Sequence, residues 1–510
     1  MTLRLPALVA LLAAPGFAAA QTLEPIGRYQ TEIFDESAAE IVVYDKRSKR
    51  LFVVNGDAKT IDILDFADPT QPTKIGALDM SKAGAAANSV AVHDGLVVAA
   101  VEADPKQAPG AAALFKVDGT FITAIEICAH PDMVTITPDG SAALLACEGE
   151  PNDDLSNDPE GGVAIVDLSN GAENATATIA DFKAFGAERL TNGLRIGRPG
   201  ATFAQDMEPE YIAVSADSKA AVVTLQENNG VAIVDVANRR IVDVIGLGVK
   251  SHAQEGNGLD ASNKDGAINI RTWPMLGLYQ PDSIVRATIA GVDYYLTANE
   301  GDARDYDGFS EEARVKDLTL DPAVFPNAAE LQKDENLGRL KTTTTFGDVD
   351  GDGDHDRIYS YGARSFSVWS SDGQLVWDSG DQFERITAER LPKNFNSTND
   401  ENGSFDDRSD DKGPEPEAIA FGVVDGKPLA FIGLERVGGV MIYDMTTPQA
   451  PVFVDFVNTR DYTGDAAAGT AGDLAPEGFT FIAAENSPNG ENLLVAAYEV
   501  SGSLVVFEIK

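Results

Sequence analysis

Residues 146–168 read ACEGEPNDDLSNDPEGGVAIVDL, and residues 225–236 compress the same pattern into LQENNGVAIVDV. An apolar run ends in a glutamate, a loop follows, and a glycine opens a second apolar run that ends in aspartate. The alternation of Val, Ile and Ala with period two belongs to strands. Five further copies stand at VVNGDAKTIDILDF (from Val53), AVEADPKQAPGAAALFKV (from Ala100), TANEGDARDYD (from Thr297, resuming at GARSFSVWSSDG), GLERVGGVMIYDM (from Gly433) and AYEVSGSLVVFEI (from Ala497).

A second signature precedes these pairs. His130-Pro131-Asp132, Glu208-Pro209-Glu210, Gln280-Pro281-Asp282, Glu415-Pro416-Glu417 and Ala475-Pro476-Glu477 each open an apolar strand, and Ala39-Glu40 and Asn88-Ser89 hold the same place in the first two units. Each unit then reads as four antiparallel strands: A after the Pro-acid step, B ending in the acid, C led by glycine, and D. Seven such units, at about 39–79, 88–127, 131–182, 208–247, 280–385, 415–458 and 475–510, predict an all-β, seven-bladed β-propeller. The last unit ends with strand C at Lys510. Leu23-Glu24-Pro25-Ile26-Gly27 resembles Pro72-Thr73-Lys74-Ile75-Gly76, so an N-terminal strand is expected to complete the last blade and pair its open edge. A β-sandwich with loops explains neither feature.

Met1 to Ala20 carry Arg4, an apolar stretch over 5–17 and Ala18-Ala19-Ala20, the pattern of a cleaved leader. The chain over 21–510 is expected to be one propeller domain, periplasmic or secreted, with no membrane span. Cys128 and Cys147 are the two cysteines, and an oxidising compartment permits a bridge between them; two buried thiols are the alternative.

The 81 Asp and Glu outnumber the 39 Lys and Arg, for a formal charge of −42. Such a surface repels nucleic acid and anionic lipid and makes divalent cations the natural partners. In a propeller strand A lines the channel, and A begins where B ends. Glu40, Asp132, Glu210, Asp282, Glu417 and Glu477 should therefore ring one mouth of the channel, with Glu102, Glu148, Glu227, Glu300, Glu435 and Glu499 beside them. Crowded carboxylates raise one another's pKa or recruit cations, and oxygen ligands favour Ca²⁺ or Mg²⁺. The plainer reading is that each acid caps a strand.

Four inserts emerge on the same face: 183–207, 248–279, 301–360 and 386–414. One holds Asp348, Asp350, Asp352, Asp354 and Asp356 with glycines at 351 and 353, the alternation of a Ca²⁺ loop. Tyr359 stands where an EF-hand places its bidentate glutamate. Weaker acidic groups are Asp260 with Ser262 and Asp265; Asp153, Asp154 and Asp158; Asp302, Asp305 and Asp307; and Asp406, Asp407, Asp410 and Asp411. Among the basic residues of these loops, Arg304, Arg364, Arg408, Arg436, Lys250 and His252 are candidates to hold a phosphoester or another anionic ligand, and each could equally pair with a neighbouring acid. Arg314, Lys316 and Lys412 lie nearby. His93 and His130 read as structural, and no nucleophile motif is evident.

The segments EGEPNDD (148–154), SHAQEGNGLDASNKDGAINI (251–270), TANEGDARDYDGFSEEARVKDL (297–318), GDVDGDGDHD (347–356) and DDRSDDKGPEPEAIAFG (406–422) resemble the bacterial choice-of-anchor I proteins. Those are similar to mesenchyme-specific cell-surface glycoproteins and are sometimes labelled alkaline phosphatase or phytase-like. The resemblance implies an exported seven-bladed propeller with a calcium-related role; no catalytic residue is carried over. Family members often end in an anchoring segment, whereas this sequence reaches Lys510 inside a strand. Two functions from different classes are therefore expected: a calcium-binding propeller whose acidic face takes a ligand or cell-surface partner, and a Ca²⁺-dependent phosphoester hydrolase.

Overall fold

In the computed structural model, which describes residues 21–510, the repeat becomes seven four-stranded antiparallel sheets. The leader read at 1–20 lies outside the described residues. The first blade is Val42–Asp45, Arg50–Asn55, Thr60–Asp65 and Thr73–Asp79; the third is Pro131–Ile136, Ala142–Cys147, Gly162–Asp167 and Thr176–Asp181. The seventh takes Pro476–Ile482, Leu493–Tyr498 and Ser503–Ile509 from the C-terminus and Leu23–Gln30 from the N-terminus. Leu23 faces Ile509 and Gln30 faces Ser503 in that last pairing, which covers the edge of the C-terminal strand.

The alternation in strands B and C explains why the sheets form a ring. Successive side chains point to opposite faces, and both faces are covered by neighbouring blades. Val163 and Ile165 join one apolar cluster with the fourth blade, while Ala164 and Val166 join another with the second. One such cluster fills every junction between consecutive blades. The last, with Leu51 and Val53 against Val495 and Val506, brings the seventh blade back to the first. The innermost strands likewise touch in sequence around the whole circle.

The inserts are more than loops. Leu259, Trp273 and Met275 of one pack with Val315, Leu340 and Ile358 of another into a separate apolar cluster. Val249–Ser251, Leu276–Leu278 and Tyr359–Ser360 form a small sheet, and Glu312–Arg314 pairs with Lys341–Thr343. Buried ion pairs stitch this cap together: Arg195 grips both oxygens of Glu311. Arg364 reaches Glu384 at 2.5 Å and the carbonyls of Asp260, Ser409 and Asp411 at 2.7–2.8 Å. Cys128 and Cys147 are joined by a disulfide that ties the outer strand of the second blade to the third. Among the described residues no helix is long and apolar enough to cross a membrane.

Candidate functional site

At four of the five Pro-acid steps the residue before the proline has unusual backbone. His130, Gln280, Glu415 and Ala475 all take left-handed backbone, with φ of 46°, 44°, 49° and 60°. Asp132, Asp282 and Glu477 follow such steps and line the mouth, and Glu210 joins Asp132 and Glu148 without one. Glycine does the matching work after strand B. A Cβ on Gly149 would lie 2.6 Å from the Glu160 carbonyl carbon, and one on Gly301 would lie 2.1 Å from the Gly362 nitrogen. Glu148 and Glu300 are thus held at the rim by glycines that let the return chain close in.

The far-apart acids do converge. A cavity of about 270 Å³ at the mouth is lined by Glu40, Glu102, Asp132, Glu148, Asp282 and Glu477, with His130 and Tyr211. Burial pushes the Glu40 carboxyl up to about 8, helped by Glu499. It pushes Asp132 up to about 7, with Glu148 adding to the rise and His130 opposing it. Glu210, Asp282, Glu417 and Glu477 are also raised well above the usual range, first by burial and then by the neighbouring carboxylates Glu148, Glu300, Glu477 and Glu499 respectively. Glu227 joins them for the same first reason. The second blade breaks the ring, because Asn88 and Ser89 stand where the acid would be.

Two triads stand out. Carboxylate oxygens of Asp132, Glu148 and Glu210 lie within 4.8 Å of one another, and among the described residues none of the three has a Lys or Arg partner. Glu300, Glu415 and Glu435 are gathered as closely. There the fold brings its own cations. Lys412 lies 2.7 Å from Glu300 and 3.4 Å from Glu415, Arg408 lies 2.6 Å from Glu415, and Arg436 lies 2.9 Å from Glu415 and 3.0 Å from Glu435. Burial alone would raise the wholly buried Glu415, but Lys412, Arg436 and Arg408 hold it far below the usual range. Glu435 keeps one buried oxygen unpartnered and is raised to about 8 by burial.

The basic candidates separate accordingly. Arg408 and Arg436 reach the mouth, where they meet Glu415. Arg304 is buried against Glu208, 3.6 Å from Glu227, and donates to the Asp206 carbonyl at 2.7 Å. Lys250 donates to the carbonyls of Ala363 and Gly380 at 2.9 and 2.7 Å and pairs with Asp378. His252 is buried, with burial pushing its pKa down to about 3, and its Nδ1 sits 2.7 Å from the Asn257 carbonyl. Together with Arg364, these side chains clamp inserts and do not line the cavity.

The acidic loop is exposed and splits in two. Asp348, Asp350 and Asp356 form one group, and Asp354 and Asp356 form another with Asp321, while Asp352 belongs to neither. Asp348 accepts from the Gly351 and Gly353 nitrogens at 2.6 and 3.0 Å. The weaker acidic groups are mostly tied by their surroundings. Asp260 accepts from Asn269 N at 2.6 Å, Asp158 pairs with Arg198, and Asp410 lies 3.0 and 2.8 Å from Arg314 and Arg339. His130, expected to be structural, stands instead in the mouth, with Nδ1 3.1 Å from Glu148 and 3.5 Å from Glu150. Burial opposes its charge most strongly, but Glu148 and Asp132 together prevail, and its pKa rises to about 9.

The family model described as the choice-of-anchor I domain matches residues 40–448. Gigasin-3a of Magallana gigas is 32% identical over 191 residues, 35% of this chain and 67% of that protein. The mesenchyme-specific cell surface glycoprotein of Strongylocentrotus purpuratus is 29% identical over 312 residues, 53% of this chain and 39% of that protein. The match therefore spans well under half of the urchin protein's own length. Among solved structures, a Kuenenia stuttgartiensis hydrazine synthase aligns with a TM-score of 0.48 at 12% identity, over 94% of this chain and 97% of that one. The β-propeller domain of Cps50 (Swd1) from Myceliophteria thermophila aligns with 0.45 at 9% identity, over 95% and 100%.

Proposed function

The chain belongs to the choice-of-anchor I family, and on that footing we propose that it is an exported propeller that binds divalent cations, calcium foremost, at the acidic mouth of its channel and, through them, a ligand or surface partner. One observation carries this reading: Asp132, Glu148 and Glu210 crowd within 4.8 Å with no Lys or Arg among the described residues to offset them. At an effective dielectric near 20, two like charges about 4 Å apart repel by about 4 kcal/mol. Either protons or a cation must relieve that cost. The donors fit Ca²⁺, which takes carboxylate oxygens in flexible sets, and the side chain of Glu210, a residue only 8% exposed, has no hydrogen-bond or ion-pair partner among the described residues. A bound ion would leave room for carboxylate or phosphate groups of a partner. Export is supported by the leader pattern at 1–20 and the disulfide.

The hydrolase reading requires Arg364, Arg408 or Arg436 to hold a phosphate, yet each directs its N–H groups to protein acceptors. Binding is the better-supported reading. The test is calcium removal: at 100 times its dissociation constant a ligand of the folded state adds about 2.7 kcal/mol. EDTA should lower Tm, and ion counting by mass spectrometry on the purified chain should recover calcium. An unchanged Tm together with a metal-free protein contradicts the proposal. Calcium-dependent release of p-nitrophenol from its phosphate would favour the hydrolase.

A further inference from the structure

Glu148 belongs to two sets of ligating atoms at once. With Asp132 and Glu210 it makes an oxygen-only group, and with His130 and Glu150 it makes a nitrogen-containing one, each set within 4.8 Å. We propose that the mouth holds a two-cation centre bridged by Glu148, in which His130 and Glu150 complete a second site for a borderline transition ion of the Zn²⁺ class. This rests on the calcium reading and adds to it a second ion of different chemistry.

The chemistry of the donors separates the two positions. Ca²⁺ takes oxygen and has little use for imidazole, whereas a neutral imidazole nitrogen is a common ligand of Zn²⁺ and its neighbours. His130 Nδ1 lies 3.1 Å from Glu148 and 3.5 Å from Glu150, yet it is not aligned for a hydrogen bond with either. It is a buried nitrogen pointed between two carboxylates. On the other side of Glu148, the carboxylate of buried Glu210 has no hydrogen-bond or ion-pair partner among the described residues. One competitor is present. Lys106 pairs with Glu150, but its side chain is 42% exposed and can swing into water when an ion arrives. The alternative to a second ion is that His130 is simply the protonated counter-charge of Glu148.

The experiment uses the full chain, stripped with EDTA and reloaded with excess Ca²⁺ plus graded Zn²⁺, with Co²⁺ as a coloured substitute for Zn²⁺. The expected result is one Zn²⁺ bound while calcium is retained, and visible Co²⁺ bands that report nitrogen ligation. His130→Gln should weaken Zn²⁺ by more than about 100-fold, beyond the range of a residue outside the coordination shell. Glu150→Gln should do likewise, and both variants should keep the calcium-induced rise in Tm. That retained rise also shows that each variant folds. Zn²⁺ binding that survives both substitutions, or Zn²⁺ that exchanges one-for-one with calcium, overturns the second site and leaves the calcium reading standing. Absence of any calcium response in the unaltered chain overturns both.

Discussion

The two triads at the channel mouth come from the same repeat and meet opposite fates. Glu300, Glu415 and Glu435 are gathered beside Lys412, Arg408 and Arg436, which the insert over 386–414 and the strand-B end of the sixth blade deliver to them. Asp132, Glu148 and Glu210 are as close together and receive only His130. A propeller repeat places acids at the rim by geometry alone; whether the protein neutralises them depends on what its inserts carry. The triad in one half of the mouth carries Lys and Arg counter-charges, and the triad in the other carries none among the described residues.

The largest test of that contrast is a pair of substitutions. Glu415→Gln removes the anion shared by three buried or half-buried cations and should cost about 3–5 kcal/mol in urea unfolding, with calcium or without. Glu210→Gln should leave the metal-free protein at least as stable, because it removes a like charge, while shrinking the stabilisation that calcium gives. Equal losses from both would erase the distinction between the halves. Reduction of the Cys128–Cys147 bridge comes next. It closes a 19-residue separation, for which about 3 kcal/mol is expected. Because Cys147 adjoins Glu148, calcium affinity should fall in the same titration; a loss of stability with calcium affinity intact would show that the bridge does not position the open triad.

Glu40 and Glu415 should also titrate in opposite directions. Glu40, on the open side, is ionised in the unfolded chain above its ordinary value but holds its proton in the fold up to about 8. The metal-free protein should therefore lose stability as pH rises from about 5 to 8, by about 1.4 kcal/mol per pH unit for each proton so held, and calcium should flatten that slope. Glu415 is held low by its cations, so its contribution is present above the ordinary glutamate range and fades on acidification below it. Melting curves from pH 3 to 8 with and without calcium read both arms, and an alkaline arm indifferent to calcium would count against the open triad. The smallest effect belongs to the exposed loop: Asp350→Asn should change stability little, within about 0.5 kcal/mol, while lowering the calcium count read by mass spectrometry.

Much of this was legible in the chain. The acid closing strand B and the Pro-acid step before strand A recur at a spacing that only a ring of small sheets explains, and Leu23–Gly27 announced the closing strand. The rim acids followed from strand order. What the sequence reading missed is the residue before proline. In the sequence His130 reads as structural, and Glu208 and Glu415 read only as the opening of the Pro-acid step, although each meets a charge: Glu148 for the first, Arg304 for the second and three cations for the third. Attention to the chemistry of that position would have singled them out. The fate of Arg364, Lys250 and His252 was not legible, because burial of an insert depends on contacts between inserts distant in sequence. Nor could the loop alone reveal that Asp321 joins Asp354 and Asp356.

The most direct measurement is a crystal structure grown in calcium, with anomalous difference density used to place the ions. The account predicts a peak among Asp132, Glu148 and Glu210 and none among Glu300, Glu415 and Glu435. A bare first triad, with density confined to the loop at 348–356 or absent, would contradict it.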